Sequence, residues 1–349
     1  MMDLKKWVRP GILALKPYSS ARDEFSGDAS VFLDANENPF NLPYNRYPDP
    51  LQQTLKQKLA QIKSVPPENI FLGNGSDEPI DLIIRIFCEP GVHRILQTEP
   101  TYGMYRVAAE VNNVGVCSVL LREDFSLDAA EMLKSVSSDT QVIFLCSPNN
   151  PSGNILSPEA ILEVLNGFKG PVVIDEAYID FSSRFSWLPR LAEFPNLIIL
   201  QTLSKAWGMA GIRLGMAFAH PFLIGLLNKI KYPYNVNILT QKAAMEQLDK
   251  PEHKEAWVRM ILAERERLEK KLSKAACVVK VWPTDANFFL VRVTDARRVY
   301  EYLAGKGIVV RDRSKMPLCD NCLRITVGTP DENNVLLDAL NEFRIADIS

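Results

Sequence analysis

Between residues 70 and 220 the chain alternates short, continuously apolar runs with longer segments whose apolar positions recur every three or four residues. The short runs lie in "NIFLGNG", "RILQTEPTYGMY", "QVIFLCSPNNPSG", "GPVVIDEAYIDF", "NLIILQTLSKAWG" and "LGMAFAH". "SDEPIDLIIRIFCEPG" and "SPEAILEVLNGF", led by Ser157 and Pro158, are of the helical kind. An apolar run of strand length without alternation belongs to a strand buried on both faces, and helices between such strands make parallel crossovers. The expected fold is α/β, a mainly parallel sheet flanked by helices. Upstream, "DPLQQTLKQKLAQIKSV" predicts a helix capped by Asp49, with Pro50 in its first turn and Leu51, Leu55, Leu59 and Ile62 on one face. Residues 32–50, dense in Asn and Pro, predict a loop, and the aperiodic residues 1–30 an extended arm.

The texture changes after about residue 232. A long amphipathic helix carries Trp257, Ile261, Leu268 and Leu272. Strand-like "ANFFLVRV", "GIVVRD" and "CLRITVG", helix-like "DARRVYEYLAGKG" and a last helix from Asp331 predict a smaller α+β unit. The expected division is an arm over 1–30, a large domain over 31–235 and a small one over 236–349, with the break near 232–240. Two domains suit 349 residues, since one core rarely grows past about 250–300.

Composition narrows the classes. With 47% hydrophobic and 23% charged residues the chain is globular, and a formal net charge of −2 argues against nucleic-acid or anionic-membrane partners. No apolar run approaches the ~18–20 residues of a membrane span, and "MMDLKKWVRPG" has no apolar core to make it a signal peptide. Six cysteines without regular spacing read as reduced cytosolic thiols. Cys319 and Cys322 form one C-x-x-C without a second pair, and His93, His220 and His253 are the only histidines, so no metal is expected.

Polar residues collect where the apolar runs end. Gly73, Gly75, Ser76 and Asp77 follow the first run, Tyr102 the second, and Asn149, Asn150 and Gly153 the third. Asp175 and Tyr178 follow the fourth, and Thr202, Ser204 and Lys205 the fifth. Ligands of doubly wound sheets bind beyond the carboxyl ends of the strands, so these groups would meet at one edge. "GNGSDEP" reads either as a tight turn capped by Ser76 or Asp77 or as a phosphate-binding helix start. It matches neither the triphosphate loop nor the dinucleotide fingerprint. Thr202, Ser204 and Arg213 could complete an anion cup. Asp175 is either satisfied in the core or matched to a cation. Lys205 is either a surface lysine or an amine held out of water for chemistry. A direct Asp175–Lys205 pair would keep that amine protonated and inert, whereas an aromatic cation between them would not. Tyr102 is a core aromatic or a stacking plate. A lysine, a carboxylate, an aromatic face and a phosphate cup together suit pyridoxal 5′-phosphate.

"SPNNPSG", "DEAYIDF" and "TLSKAWGMAGIRLG" resemble the motifs of the fold-type I aminotransferases, and "PYSSAR", "DANENP", "RYPDP", "PTYGMY" and "CLRITVG" narrow the likeness to the histidinol-phosphate aminotransferase family. The likeness runs from about residue 17 to 330 in matching order; "NPSG" stands where NPTG is commoner and keeps the hydroxyl. It implies a fold-type I transferase that converts L-histidinol phosphate and 2-oxoglutarate to 3-(imidazol-4-yl)-2-oxopropyl phosphate and L-glutamate, in histidine biosynthesis. An aromatic-amino-acid aminotransferase or a threonine-phosphate decarboxylase would share the cofactor site. By the same resemblance Lys205 joins the cofactor's aldehyde and carries the proton, Asp175 pairs with the ring nitrogen, and Tyr178 and Asn150 bond the phenolic oxygen. A charge pair ~4 Å apart at an effective dielectric near 20 gains about 4 kcal/mol before desolvation, roughly three pKa units, which would keep the ring protonated. Tyr102 stacks on the ring, and Gly75, Ser76, Asp77, Thr202, Ser204 and Arg213 hold its phosphate. Arg324 looks like the family's carboxylate-binding arginine, joined by Arg311, Tyr18 and Asn36 on the substrate wall. The counterpart of Tyr47 reaches the neighbouring subunit's phosphate while the arm covers the substrate, which implies a cytoplasmic homodimer with shared sites.

Overall fold

The computed structural model describes residues 4–17 and 30–343. One sheet holds β1 (Ile70–Asn74), β2 (Arg94–Glu99), β3 (Gly115–Leu120), β4 (Thr140–Cys146), β5 (Val172–Asp175), β6 (Leu197–Thr202) and β7 (Leu214–Ala219), in the order β1-β7-β6-β5-β4-β2-β3. β2 to β6 pair in parallel, and β7 runs against both of its neighbours, β6 and β1. The carboxyl ends of β1 to β6 therefore share one edge. Every residue of β5, β6 and β7 is buried, which is why these strands read as unbroken apolar runs. Alternate residues feed two cores: Ile143, Leu145, Ile174 and Ile199 on one face, Val142, Phe144, Val173 and Ile198 on the other.

The start of the chain is not the extended arm expected over 1–30: Pro10–Ala14 is helical, and Leu4 and Val8 are buried in the large sheet's core. Three other departures from the sequence pattern have local causes. β3 is not among the expected strands; at the sheet edge it is mostly half-exposed, and "GVCSVL" carries little apolar contrast. The helix expected from Asp49 starts at Gln53. Asp49 does accept from backbone N–H groups, those of Leu51 (2.8 Å) and Gln53 (2.6 Å), but Gln52 turns at φ +50°. Leu55 and Leu59 are buried while Leu51, ahead of that turn, is exposed. Helix Ile238–Leu248 was also not expected; with Thr240, Ala244 and Leu248 as its buried residues, its apolar stripe is narrow.

The second sheet is antiparallel throughout: β8 (Val278–Val281), β9 (Phe288–Val293), β10 (Arg311–Asp312) and β11 (Cys322–Thr326), in the order β10-β11-β9-β8. Helices Pro251–Leu272, Ala296–Gly305 and Pro330–Glu342 pack on it around Leu268, Phe289, Val291, Val299, Leu323 and Leu337. Thr329 and Glu332 close a capping box at the last of these. The start of β9 faces the large sheet, with Phe288 and Ala286 packed on Tyr178 and Phe181. The Asp285 N–H donates to Gly153 O (2.8 Å), so the second sheet leans over the carboxyl ends of β4 and β5. Among the described residues no helix is long and apolar enough to cross a membrane.

Candidate active site

β1, β2, β4, β5 and β6 end around one cavity, lined among others by Ser76, Tyr102, Asn150, Asp175 and Lys205. At the end of β6 the chain turns at once. Thr202 Oγ1 donates to Leu214 O (3.2 Å) and accepts from the Ser204 N–H (3.0 Å), while the Leu203 N–H also reaches Leu214 O (3.0 Å). This turn puts Lys205 into the cavity wall, with Nζ 5.5 Å from the centroid of the Tyr178 ring. The lysine is half-buried rather than fully enclosed. Burial, and next the Arg324 charge, hold its amine below the usual lysine pKa, against the opposing pull of Asp175 and Asp77.

Asp175, the last residue of β5, is 2% exposed. Its Oδ2 accepts from Tyr105 Oη at 2.6 Å and its Oδ1 from the Ala177 N–H at 3.0 Å. Burial pushes the carboxyl's pKa up, and these two donors pull it down. It makes no direct ion pair with Lys205, the arrangement that leaves room for a cation between them.

The anion cup is built on backbone close approach. Gly75 takes φ +73°, and a Cβ there would lie 2.6 Å from Arg213 Nη2. Its N–H donates to Arg213 O (2.6 Å). Gly215 on β7 passes so near Gly75 and the Ser76 nitrogen that a side chain would collide with both. Ser76 gives no side-chain cap to helix Asp77–Phe87, which leaves first-turn N–H groups without that partner, and Ser76 and Asp77 line the cavity with Ser204. The Asp77 carboxylate accepts from Tyr102 Oη (3.0 Å) and from Arg213 Nη2 (3.3 Å).

Across the cavity, Tyr178 packs edge-on against Phe288 with ring centroids 5.0 Å apart. Asn150 Nδ2 lies 3.5 Å from Tyr178 Oη, and Asn150 Oδ1 accepts from Arg324 Nη1 at 2.6 Å. Arg324 also lies over the Phe288 ring, and its buried Nε has no partner. Arg311 is exposed and stands directly opposite Arg324 in the β10–β11 ladder. The ladder extends one bond further, from the Arg313 N–H to Cys322 O (2.8 Å). By strand alternation Arg313 falls on the same face as Arg311 and Arg324. Its Nε is likewise buried and unpartnered. Burial and the charges of Arg324 and Arg311 lower its pKa to about 10.

The single chain does not bring every expected residue to this cavity. Tyr47 stacks on Tyr234 at 4.4 Å and 14° and lines a separate cavity with Asn36 and Asn237. Tyr47 and Asn36 belong to the loop ahead of helix Gln53–Lys63. Tyr18 lies outside the described residues. Tyr105, Cys146, Ala177 and Arg313 were not expected at the site. Tyr105 had no usable signal: it lies in the first turn of helix Met104–Val111, whereas Tyr102 precedes that helix, so helical spacing does not link the two. Cys319 and Cys322 are buried free thiols in a turn closed by the Cys322 N–H on Cys319 O (2.9 Å). Among the described residues no cluster of His, Cys, Asp or Glu could hold a metal ion.

This sheet with this cavity is that of an aminotransferase: the family model for class I and II aminotransferases matches residues 34–340, and the chain belongs to that class. Within it, the chain belongs to the histidinol-phosphate aminotransferases. One such protein from Parabacteroides distasonis is 61% identical over 345 residues, which is 99% of this chain and 100% of that one. Among solved structures, the histidinol-phosphate aminotransferase of Clostridium acetobutylicum matches with a TM-score of 0.79 at 27% identity, over 85% of this chain and 90% of that one. The Sinorhizobium meliloti histidinol-phosphate aminotransferase, solved in complex with pyridoxal 5′-phosphate, matches with a TM-score of 0.79 at 25% identity, over 85% and 82%. The donor set here fits the same cofactor: a dry carboxylate met only by donors, an amine of lowered basicity, and a glycine-lined cup in which a Cβ would displace a guanidinium.

Proposed function

We propose that the chain transfers the amino group of L-histidinol phosphate to 2-oxoglutarate, with pyridoxal 5′-phosphate as cofactor. The observation that carries this reading is the charge layout around one cavity. Asp175 suits a cationic ring nitrogen, Arg213 and the uncapped helix start suit a phosphate, and Lys205 lines the same cavity. When bound, the cofactor supplies an electron-poor ring that accepts the electron pair released at the substrate's α-carbon. Asp175 holds positive charge at the ring nitrogen. Lys205 Nζ takes the α-proton and returns it; burial and the Arg324 charge make this amine less basic than an ordinary lysine. Asn150 and Tyr178 orient the phenolic oxygen, and Tyr102 walls one side of the ring. Gly75, Ser76, Asp77, Thr202 and Ser204 shape the cup around Arg213. Arg324, Arg311 and Arg313 share one face of β10–β11; the largest electrostatic influences on Arg313 are Arg324 and Arg311, and those on Arg324 are Tyr178 and Arg311. Such a face suits an anion, a phosphate ester in one half-reaction and a carboxylate in the other.

A homodimer and the domain division near 232–240 belong to the same proposal. Val31, Leu33, Phe40, Leu42 and Tyr44 are all more than half exposed in the single chain. So many apolar side chains in one loop support a partner that covers them, and that partner would receive Tyr47 and Asn36. The separate core around Leu268, Phe289 and Leu337 supports a small domain. A cytoplasmic location goes with a biosynthetic role. The test is the visible spectrum of the purified protein, followed by half-reactions with histidinol phosphate, glutamate, phenylalanine and threonine phosphate. Histidinol phosphate and glutamate should both discharge the colour. Preference for phenylalanine, or carbon dioxide release from threonine phosphate, would reassign the substrate.

A further inference from the structure

We propose that Tyr105 is a positioning residue for the transamination: by donating to Asp175 it keeps the carboxylate less basic than the ring nitrogen it faces. The inference rests on the cofactor reading above. Tyr105 is completely buried. Its ring is stacked on Phe144 of β4 (4.9 Å, 20°) and meets Tyr102 edge-on (5.6 Å, 83°). Clamped in this way, the phenol directs its hydroxyl to Asp175 Oδ2 at 2.6 Å. A residue needed only to fill space would be phenylalanine, because a buried hydroxyl costs free energy unless it is bonded.

A carboxylate and a pyridine nitrogen facing each other compete for one proton. Dry surroundings favour the neutral pair, with the proton on oxygen, because two buried charges are costly. Only the ionic arrangement makes the ring a strong electron sink. Hydrogen bonds to the carboxylate shift the competition toward the ion pair by stabilising its charge. The described structure supplies two donors, the Ala177 N–H and Tyr105. The other groups around Asp175 do not substitute for the phenol. The Asp77 charge works against it, Lys205 helps only at a distance, and the Cys146 thiol and the Tyr178 and Tyr102 phenols are held neutral with raised pKa values.

The test reads the carboxyl group itself. In the full chain freed of cofactor and labelled with ¹³C at aspartate carboxyls, the Asp175 resonance is the one lost in Asp175→Asn. Tyr105→Phe should raise its titration midpoint by about one to two units, the worth of a hydrogen bond to a charged group. Pyridoxal phosphate should then bind roughly ten- to a hundred-fold more weakly, with KM for glutamate little changed. Site-specific 3,5-difluorotyrosine at position 105 is a stronger donor and should move the midpoint the opposite way. A structural role would not reverse sign between these two variants. Unmoved midpoints, or shifts in one direction for both, overturn the proposal. Should Tyr105→Phe fail to fold, the difluorotyrosine protein decides alone: a lowered midpoint supports the proposal, an unchanged or raised one refutes it. A wild type that never takes up pyridoxal phosphate would sink the cofactor reading instead, while the titration would still report on the Tyr105–Asp175 bond.

Discussion

Gly75→Ala isolates the anion cup from the rest of the site. The glycine backbone sits at φ +73°, where a residue with a Cβ is strained by about 1–2 kcal/mol. The new methyl would lie 2.6 Å from Arg213 Nη2, on the order of 1 Å inside normal contact. The guanidinium is the flexible end of a long, exposed side chain, so it moves and the fold persists. What is lost is a charge-assisted hydrogen bond to the cofactor phosphate, worth about 1.5–3 kcal/mol, or roughly a ten- to hundred-fold rise in the dissociation constant. Pyridoxal, which lacks the phosphate, should bind the variant about as well as it binds wild type. Equilibrium dialysis of both ligands gives the ratio directly, and thermal unfolding of the cofactor-free protein gives the strain term. Equal weakening for pyridoxal and pyridoxal phosphate would refute the reasoning, because the damage would then not lie at the phosphate.

Lys205→Ala should remove the visible absorbance of the lysine-bound cofactor and reduce turnover by several orders of magnitude; comparable turnover would mean that another group carries the proton. Arg313→Gln should raise KM for the phosphorylated substrate by about tenfold and that for glutamate less, since a dianion gains more from a third guanidinium than a monoanion does. A parallel rise for both would assign Arg313 no part in discrimination. Lys56 tests stability against pH. Burial and Lys231 lower its pKa from 10.5 to about 8, so the folded state binds fewer protons than the unfolded one between those values, and stability should rise with pH across that window. Below pH 8 the buried charge costs roughly 3 kcal/mol. Urea unfolding of Lys56→Met should therefore show a gain of that order at pH 7 that fades by about pH 10.5, whereas a constant difference would exclude the lysine's charge as its origin.

Much of the site is legible one strand at a time. Asp175, Lys205 and the "GNGS" turn each follow an apolar run, and a parallel sheet aligns such ends because its crossovers return every strand in the same direction. That is a short-range consequence of strand, turn and helix signals, and the sequence alone determines it. The helix after Asp49 shows its limit: the cap residue is readable, but the left-handed turn at Gln52 that moves the start to Gln53 depends on how the loop docks.

Only the tertiary structure decided what crosses between elements. The Tyr105 hydroxyl meets Asp175 across 70 positions of sequence, and Arg324 meets Asn150 across 174. Arg311 and Arg313 share a face by strand alternation, but only the pairing of β10 with β11 sets them against Arg324. In the single chain Tyr47 and Asn36 lie at another cavity, beside Asn237. Periodicity records which residues are buried, since burial depends on the face a residue occupies within its own element. Which buried groups touch depends on how separate elements pack, and that is fixed only when the whole chain closes.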